Sequence, residues 1–235
     1  MNDKTVRARN ALRETVDEGY SHIKHLMLNS LITLVPTLVF AMIAFFAGIS
    51  LWSLTAIPLA ILFGNFIEYA THRWPMHKPK APGGKYLFKR HAGEHHRAFE
   101  VEFMEITDPR DYSLVMLPPL RAAVFMSVLI AIAGVAGLTV GAAFGALIGM
   151  TLGLYFFIGE ALHISFHFKS TWENDKWYNR FLRRIGRWHR IHHELKLMSK
   201  YNFNIAFPIF DKVLGTLIDE DDDVVILKRD KAFTS

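Results

Sequence analysis

The chain has no cysteine. Disulfides, thiolate metal sites and cysteine nucleophiles are therefore excluded. Charge is missing from two long windows. No Asp, Glu, Lys or Arg lies between His25 and Glu68, or between Arg121 and Glu160. Each window is about twice the roughly 20 residues that carry a helix across a bilayer. Each reads as a helical hairpin: Met27 to Gly48 then Leu51 to Ala70, and Pro119 to Leu138 then Val140 to Gly159. Pro119 suits the first turn of a helix, where its missing N–H is not needed. Two buried helices of a soluble core would rarely be free of charge over such a length. The first run also starts too late, and is too long, for a cleaved signal peptide.

All 27 Lys and Arg residues lie up to Lys24, between Arg73 and Arg121, or from Lys169 onward, and none lies in the hairpin turns near Ile49-Ser50 and Leu138-Thr139. The positive-inside rule then puts both termini and the 71–118 segment in the cytoplasm. The formal charge of +5 calls for no nucleic-acid partner, because a cytoplasmic membrane face is expected to be basic. There is no internal repeat or low-complexity tract. Lys80 to Lys85 reads as a turn-rich loop, and the acidic run Asp219 to Asp223 as a solvated surface.

What the chain does have is histidine in clusters. Ten of its twelve histidines form His72-x4-His77, His91-x3-His95-His96, His163-x3-His167 and His189-x2-His192-His193, each just outside an apolar window. Imidazole is the commonest nitrogen ligand of transition metals. On a helix, His189 and His193 share a face, while His192 lies about 100° away. Adjacent histidines that diverge can reach two different ions, which suits a dinuclear centre. His163 and His167 are also one turn apart. His72 and His77 are badly spaced for one straight helix, and Pro75 between them should break it and let both converge. His91 and His95 should share a face, with His96 beside them. Ten imidazoles supply about five ligands to each of two ions, close to a six-ligand metal with one open position. An all-nitrogen site suits iron or zinc, yet hydrolytic zinc needs only three protein ligands, so a redox pair fits better. Glu94 and Glu194 are the acids within the clusters.

The expected fold is an all-α membrane protein with four transmembrane helices in two hairpins and a helical, histidine-rich cytoplasmic cap. Residues 1–27 read as an amphipathic interfacial segment, with His22 and His25 at headgroup level rather than in the metal site. Residues 28–235 form the integral membrane domain. Gly141, Gly145, Gly149 and Gly153 make a small-residue stripe that suits packing within the bundle, and also a homodimer contact or an acyl groove. Glu68 and Glu160 stand one turn before His72 and His163. Each either fixes the tautomer of that histidine or simply ends an apolar span.

At these residues the chain resembles the fatty acid hydroxylase / sterol desaturase superfamily of membrane di-iron enzymes. The likeness runs from Glu68-Tyr69-x2-His72-Arg73-x3-His77 to the closing Asn202-Phe203 and Pro208-x2-Asp211-x2-Leu214-Gly215-Thr216. One departure is the second box, which usually reads His-x2-His-His. The extra residue turns His91 by about 100° on an α-helix. The resemblance implies ten histidine ligands, with Glu68, Glu160 and Asn202 as catalytic residues beside them. It implies two iron ions, replaceable by zinc on purification, and dioxygen as co-substrate. Electrons would come from a separate ferredoxin or b-type cytochrome. The implied reaction attacks an unactivated C–H bond of a lipid or fatty acyl chain, walled by Phe63 to Phe66 and Tyr155 to Phe157, giving an alcohol. A desaturase or a carotenoid hydroxylase is the nearest alternative. The implied location is a bacterial inner membrane or the endoplasmic reticulum. A membrane metal transporter is the alternative of another class, but transporters put ionisable ligands near the bilayer midplane, where these spans have none.

Overall fold

A computed structural model describes residues 3–80, 84–205 and 207–219. Among them there is helix and no strand. Four stretches are long and apolar enough to cross a membrane: His22–Ala47, Leu51–Met76, Asp111–Thr139 and Ala142–Phe166. They match the two expected hairpins and suggest a multi-pass membrane protein.

The chain divides into two compact units. One comprises Glu18–Phe66 and Val115–Ala161. After a short N-terminal helix, α1 (Asp3–Glu14), helix α2 (His22–Ala47) opens this unit, capped by Ser21, whose hydroxyl accepts from the Lys24 N–H. A glycine in the left-handed region, Gly48, ends α2. Ser50 and Ser53 then form a reciprocal capping box at the start of α3 (Leu51–Leu54), and α4 (Ala56–Thr71) continues the span. The second hairpin is α8 (Pro119–Thr139) and α9 (Ala142–Phe166), with Pro119 in the first turn of α8 as expected.

Burial in this unit runs opposite to that of a soluble helix bundle. On α2 the buried residues are His25, Asn29, Thr33, Thr37 and Ala44, while Phe45, Phe46, Leu51 and Leu138 are largely exposed. The two threonines satisfy themselves locally: Thr33 donates to the Asn29 carbonyl and Thr37 to the Thr33 carbonyl. Outward apolar surface around an inner stripe of small and polar residues is what lipid surroundings favour. Gly145, Gly149 and Gly153 of the expected stripe pack within the unit, whereas Gly141 stands before α9 with nothing within 4 Å of an added methyl. A methyl on Gly145 would lie 2.2 Å from the Gly137 backbone nitrogen, and one on Gly149 would lie 2.6 Å from the Phe40 ring.

His25 departs from expectation. It is buried rather than a surface residue. Its ring nitrogens meet the Tyr20 hydroxyl at 2.9 Å and the Leu117 carbonyl at 3.0 Å, and Asn29 donates to the same carbonyl. His22 is half-buried.

The other unit comprises Met1–Asp17, Ile67–Leu114 and Leu162–Ser235. It contains α1, a π-helical turn over His72–Met76, α5 (Gly84–Phe88), a second π-helical stretch over Lys89–His95 and α6 (His96–Ala98). Then come most of α7 (Asp111–Val115), α10 (Lys169–Glu173), the strongly amphipathic α11 (Trp177–His192) and α12 (Ile209–Val213). Part of the expected 80–85 loop and all of the acidic run beyond Asp219 lie outside the described residues. Asp219 itself pairs with Arg187 at 2.6 Å.

Candidate metal centre

All ten clustered histidines come together, in two groups of five. His72, His77, His91, His96 and His192 form one; His95, His163, His167, His189 and His193 form the other. Within each group one nitrogen per ring lies within 4.8 Å of all the others. The groups abut, with the His96 and His193 rings 4.5 Å apart.

Helix geometry sorts the residues. On α11, His189 and His193 serve one group and His192 the other, as their angular positions require. The two π-helical segments do the rest. Hydrogen bonding from i to i+5 widens the helix, so residues five apart come to one side. His72 and His77 thus stack at 5.2 Å between ring centroids. Pro75 sits inside this turn and does not break the helix there. In the second stretch His91 joins His96, five residues on, with 3.1 Å between their Nε2 atoms. His91 and His95 do lie side by side, their rings stacked at 5.3 Å between centroids, yet they serve different groups. His95 points into the other group. The extra residue in the second box is absorbed by the π-helix, and His91 stays in the site.

Backbone carbonyls orient the rings. The Nδ1–H of His72 donates to Phe203, that of His95 to Leu114 at 3.1 Å, of His167 to Met104 at 2.7 Å, of His192 to Tyr201 at 2.8 Å, and of His193 to Phe99. The Nε2 atoms are left facing inward. Those of His77 and His192 are 3.0 Å apart, those of His95 and His193 3.2 Å, and those of His189 and His193 3.0 Å. His95 and His193 both use their ring proton on a carbonyl, so two bare lone pairs face each other. Burial holds the His77, His91, His95, His96, His167, His189, His192 and His193 imidazoles well below their usual pKa, with neighbouring rings adding to the effect. Burial disfavours their protonated form, and a bound metal cation would relieve this repulsion instead. Two nitrogens bound at about 2.1 Å to one ion and at right angles lie about 3 Å apart, which is the spacing found. The Nε2 of His163 is buried with no hydrogen-bond partner, and a metal ion would take up its lone pair. The residues fit a pair of metal ions.

Glu68, Glu160 and Asn202 each hold backbone groups in the structure. Glu68 accepts from the Asn204 amide at 3.0 Å and the Ile205 N–H at 3.1 Å. The tautomer of His72 is set by the Phe203 carbonyl. Glu160 accepts from the Leu117 N–H at 3.5 Å, at the entry to α8. Glu94 pairs with Arg90. Asn202 adopts φ +56°, a region Asn tolerates better than most residues. Its amide donates to the Trp188 and Ile218 carbonyls and accepts from the Ile218 N–H. It is thus a positioning residue, flanked by the Tyr201 and Phe203 carbonyls that hold His192 and His72. Asp211 completes that support by accepting from the N–H groups of Phe203 and Asn204 and the Thr216 hydroxyl. Its place in the closing motif marked it in the sequence, but its role did not show.

Four helices of membrane-spanning length and two groups of imidazoles able to hold metal suggest a multi-pass, metal-binding membrane protein. The chain belongs to the fatty acid hydroxylase family, whose profile matches residues 57–216. The match ends at Thr216, where the closing motif ends. It supports a membrane hydroxylase or desaturase type of function and so an oxidoreductase. No curated protein and no solved structure matches the chain.

Proposed function

We propose that the chain is a membrane di-iron oxygenase that hydroxylates an unactivated C–H bond of a lipid or fatty acyl chain. The observation that carries this reading is the division of ten imidazoles, nine of them buried and His91 half-buried, into two abutting groups of five. Two ferrous ions bound there would activate dioxygen with two electrons from a separate ferredoxin or b-type cytochrome. The ten histidines hold the ions. The carbonyls of Phe99, Met104, Leu114, Tyr201 and Phe203 fix five of the rings, and the burial of nine of the ten histidines limits access of bulk water. Five nitrogens per ion exceed what hydrolytic zinc uses and suit a redox metal.

The histidines also follow spans or end them: His72 comes directly after α4, and His163 lies in the last turn of α9. A site at the end of a span can meet an apolar chain from the bilayer, whereas a transporter needs ionisable ligands at mid-span. By the positive-inside rule this end is cytoplasmic, in a bacterial inner membrane or the endoplasmic reticulum. Residues 1–27 would begin at the membrane surface.

The test compares total lipids, by mass spectrometry, from cells with and without the protein. A lipid heavier by one oxygen atom is the expected product. One lighter by two hydrogens would mean desaturation instead, and an unchanged lipid profile in cells supplied with iron and a reductase would overturn the reading.

A further inference from the structure

The two histidine groups are steadied by different parts of the chain. In the first, His72 and His192 lean on the carbonyls of Phe203 and Tyr201, in the closing stretch. In the second, His193, His167 and His95 lean on those of Phe99, Met104 and Leu114. These three carbonyls belong to one short segment, 99–114, much of it irregular. A segment of this kind needs an outside hold to present three carbonyls in fixed directions.

That hold is α1. Arg9 is 8% exposed. Its guanidinium donates to the Ala98 carbonyl at 2.7 Å, to the Glu105 carbonyl at 2.9 Å and to the Phe103 carbonyl. It also lies over the Phe99 ring, 4.6 Å from the centroid. Each of these contacts is next to, or part of, a residue whose carbonyl holds a histidine. One turn further on, Arg13 grips Asp111 with two bonds of 2.7 Å. Asp111 in turn accepts from the Thr107 and Asp108 N–H groups, at 2.9 and 3.1 Å, and begins the short helix that carries Leu114. A planar fork of five donors is what several fixed carbonyls require, and an ammonium does not match it.

We infer that Arg9, with Arg13 beside it, is a positioning residue for the second histidine group alone. The N-terminal helix, which lies before the family match at 57–216, would then be a working part of the metal centre. This inference rests on the reading of the two groups as metal sites.

The test titrates metal-free, full-length protein in detergent with Co2+ under argon, following visible absorption and bound equivalents. The wild type should take up two equivalents. Arg9→Gln should keep one tight site and weaken the other by about tenfold or more, the range for lost ring-orienting partners. Arg9→Lys should resemble Arg9→Gln more than wild type. Added to His95→Ala, which spoils the second group, Arg9→Gln should change little. Added to His77→Ala, which spoils the first, it should weaken the remaining tight site. Should Arg9→Gln fail to give monodisperse, helical protein, Arg13→Gln should show the same one-site weakening. Equal weakening of both sites, or of neither, would overturn the inference. A wild type that binds fewer than two equivalents would instead overturn the metal-centre reading itself.

Discussion

At the scale of single residues, the contrast between ligand and bystander is sharp. His192→Ala and His193→Ala should each abolish turnover while the protein still inserts, because each opens one of the two groups. His91→Ala should be as damaging, since the π-helix brings its Nε2 to 2.7 Å from that of His72. His22→Ala should be nearly silent. Retained activity in His91→Ala, measured by product formation in membranes, would show that one group works with four ligands. Asn202→Ala strips partners from the Ile218 N–H and two carbonyls, and should cost about 1–3 kcal/mol in thermal or denaturant unfolding. The ten histidines were legible in the sequence because their type and clustering carry the chemistry. Their true partners were not. Five of them are held by backbone carbonyls, which every residue has, so the side chains of Phe99 or Tyr201 give no hint of the role. Glu68 and Glu160 drew attention by spacing alone, which does not show the backbone N–H groups of Ile205 and Leu117 that they accept from.

At the scale of elements, the four spans could be read from the absence of charge, and the glycine stripe from its period. The π-helical stretches could not. They obey no simple apolar period, and the extra residue in the second box looked like a defect rather than a wider turn. Close helix approaches make two further expectations. A methyl on Gly145 would lie 2.4 Å from the Gly137 Cα, a backbone contact that cannot yield. Gly145→Ala should therefore destabilise the second hairpin by roughly 1–3 kcal/mol, read as a lower unfolding temperature in detergent. A methyl on Gly186 would lie 2.6 Å from the buried Phe166 ring. Since Gly186 precedes His189 by one turn of α11, Gly186→Ala should lower metal affinity before it lowers stability. An unchanged metal titration would show that Phe166 can move aside.

At the scale of the whole molecule, the charge pattern makes the topology testable in a chain with no native cysteine. Single cysteines placed near Pro82 and near Lys228 should react only with a reagent added from the cytoplasmic side, and labelling of either from outside would reverse the orientation. The N-terminal helix was read from sequence as a surface segment. Its grip on the 98–111 region was hidden because the arginine and the carbonyls that it holds are 89 to 96 residues apart. The most direct measurement is the metal content of anaerobically purified, iron-reconstituted protein, by elemental analysis against quantified protein. Two iron ions per chain, falling to about one in His95→Ala and in His77→Ala, is the expected result. A wild-type value at or below one ion per chain would contradict the two-group centre.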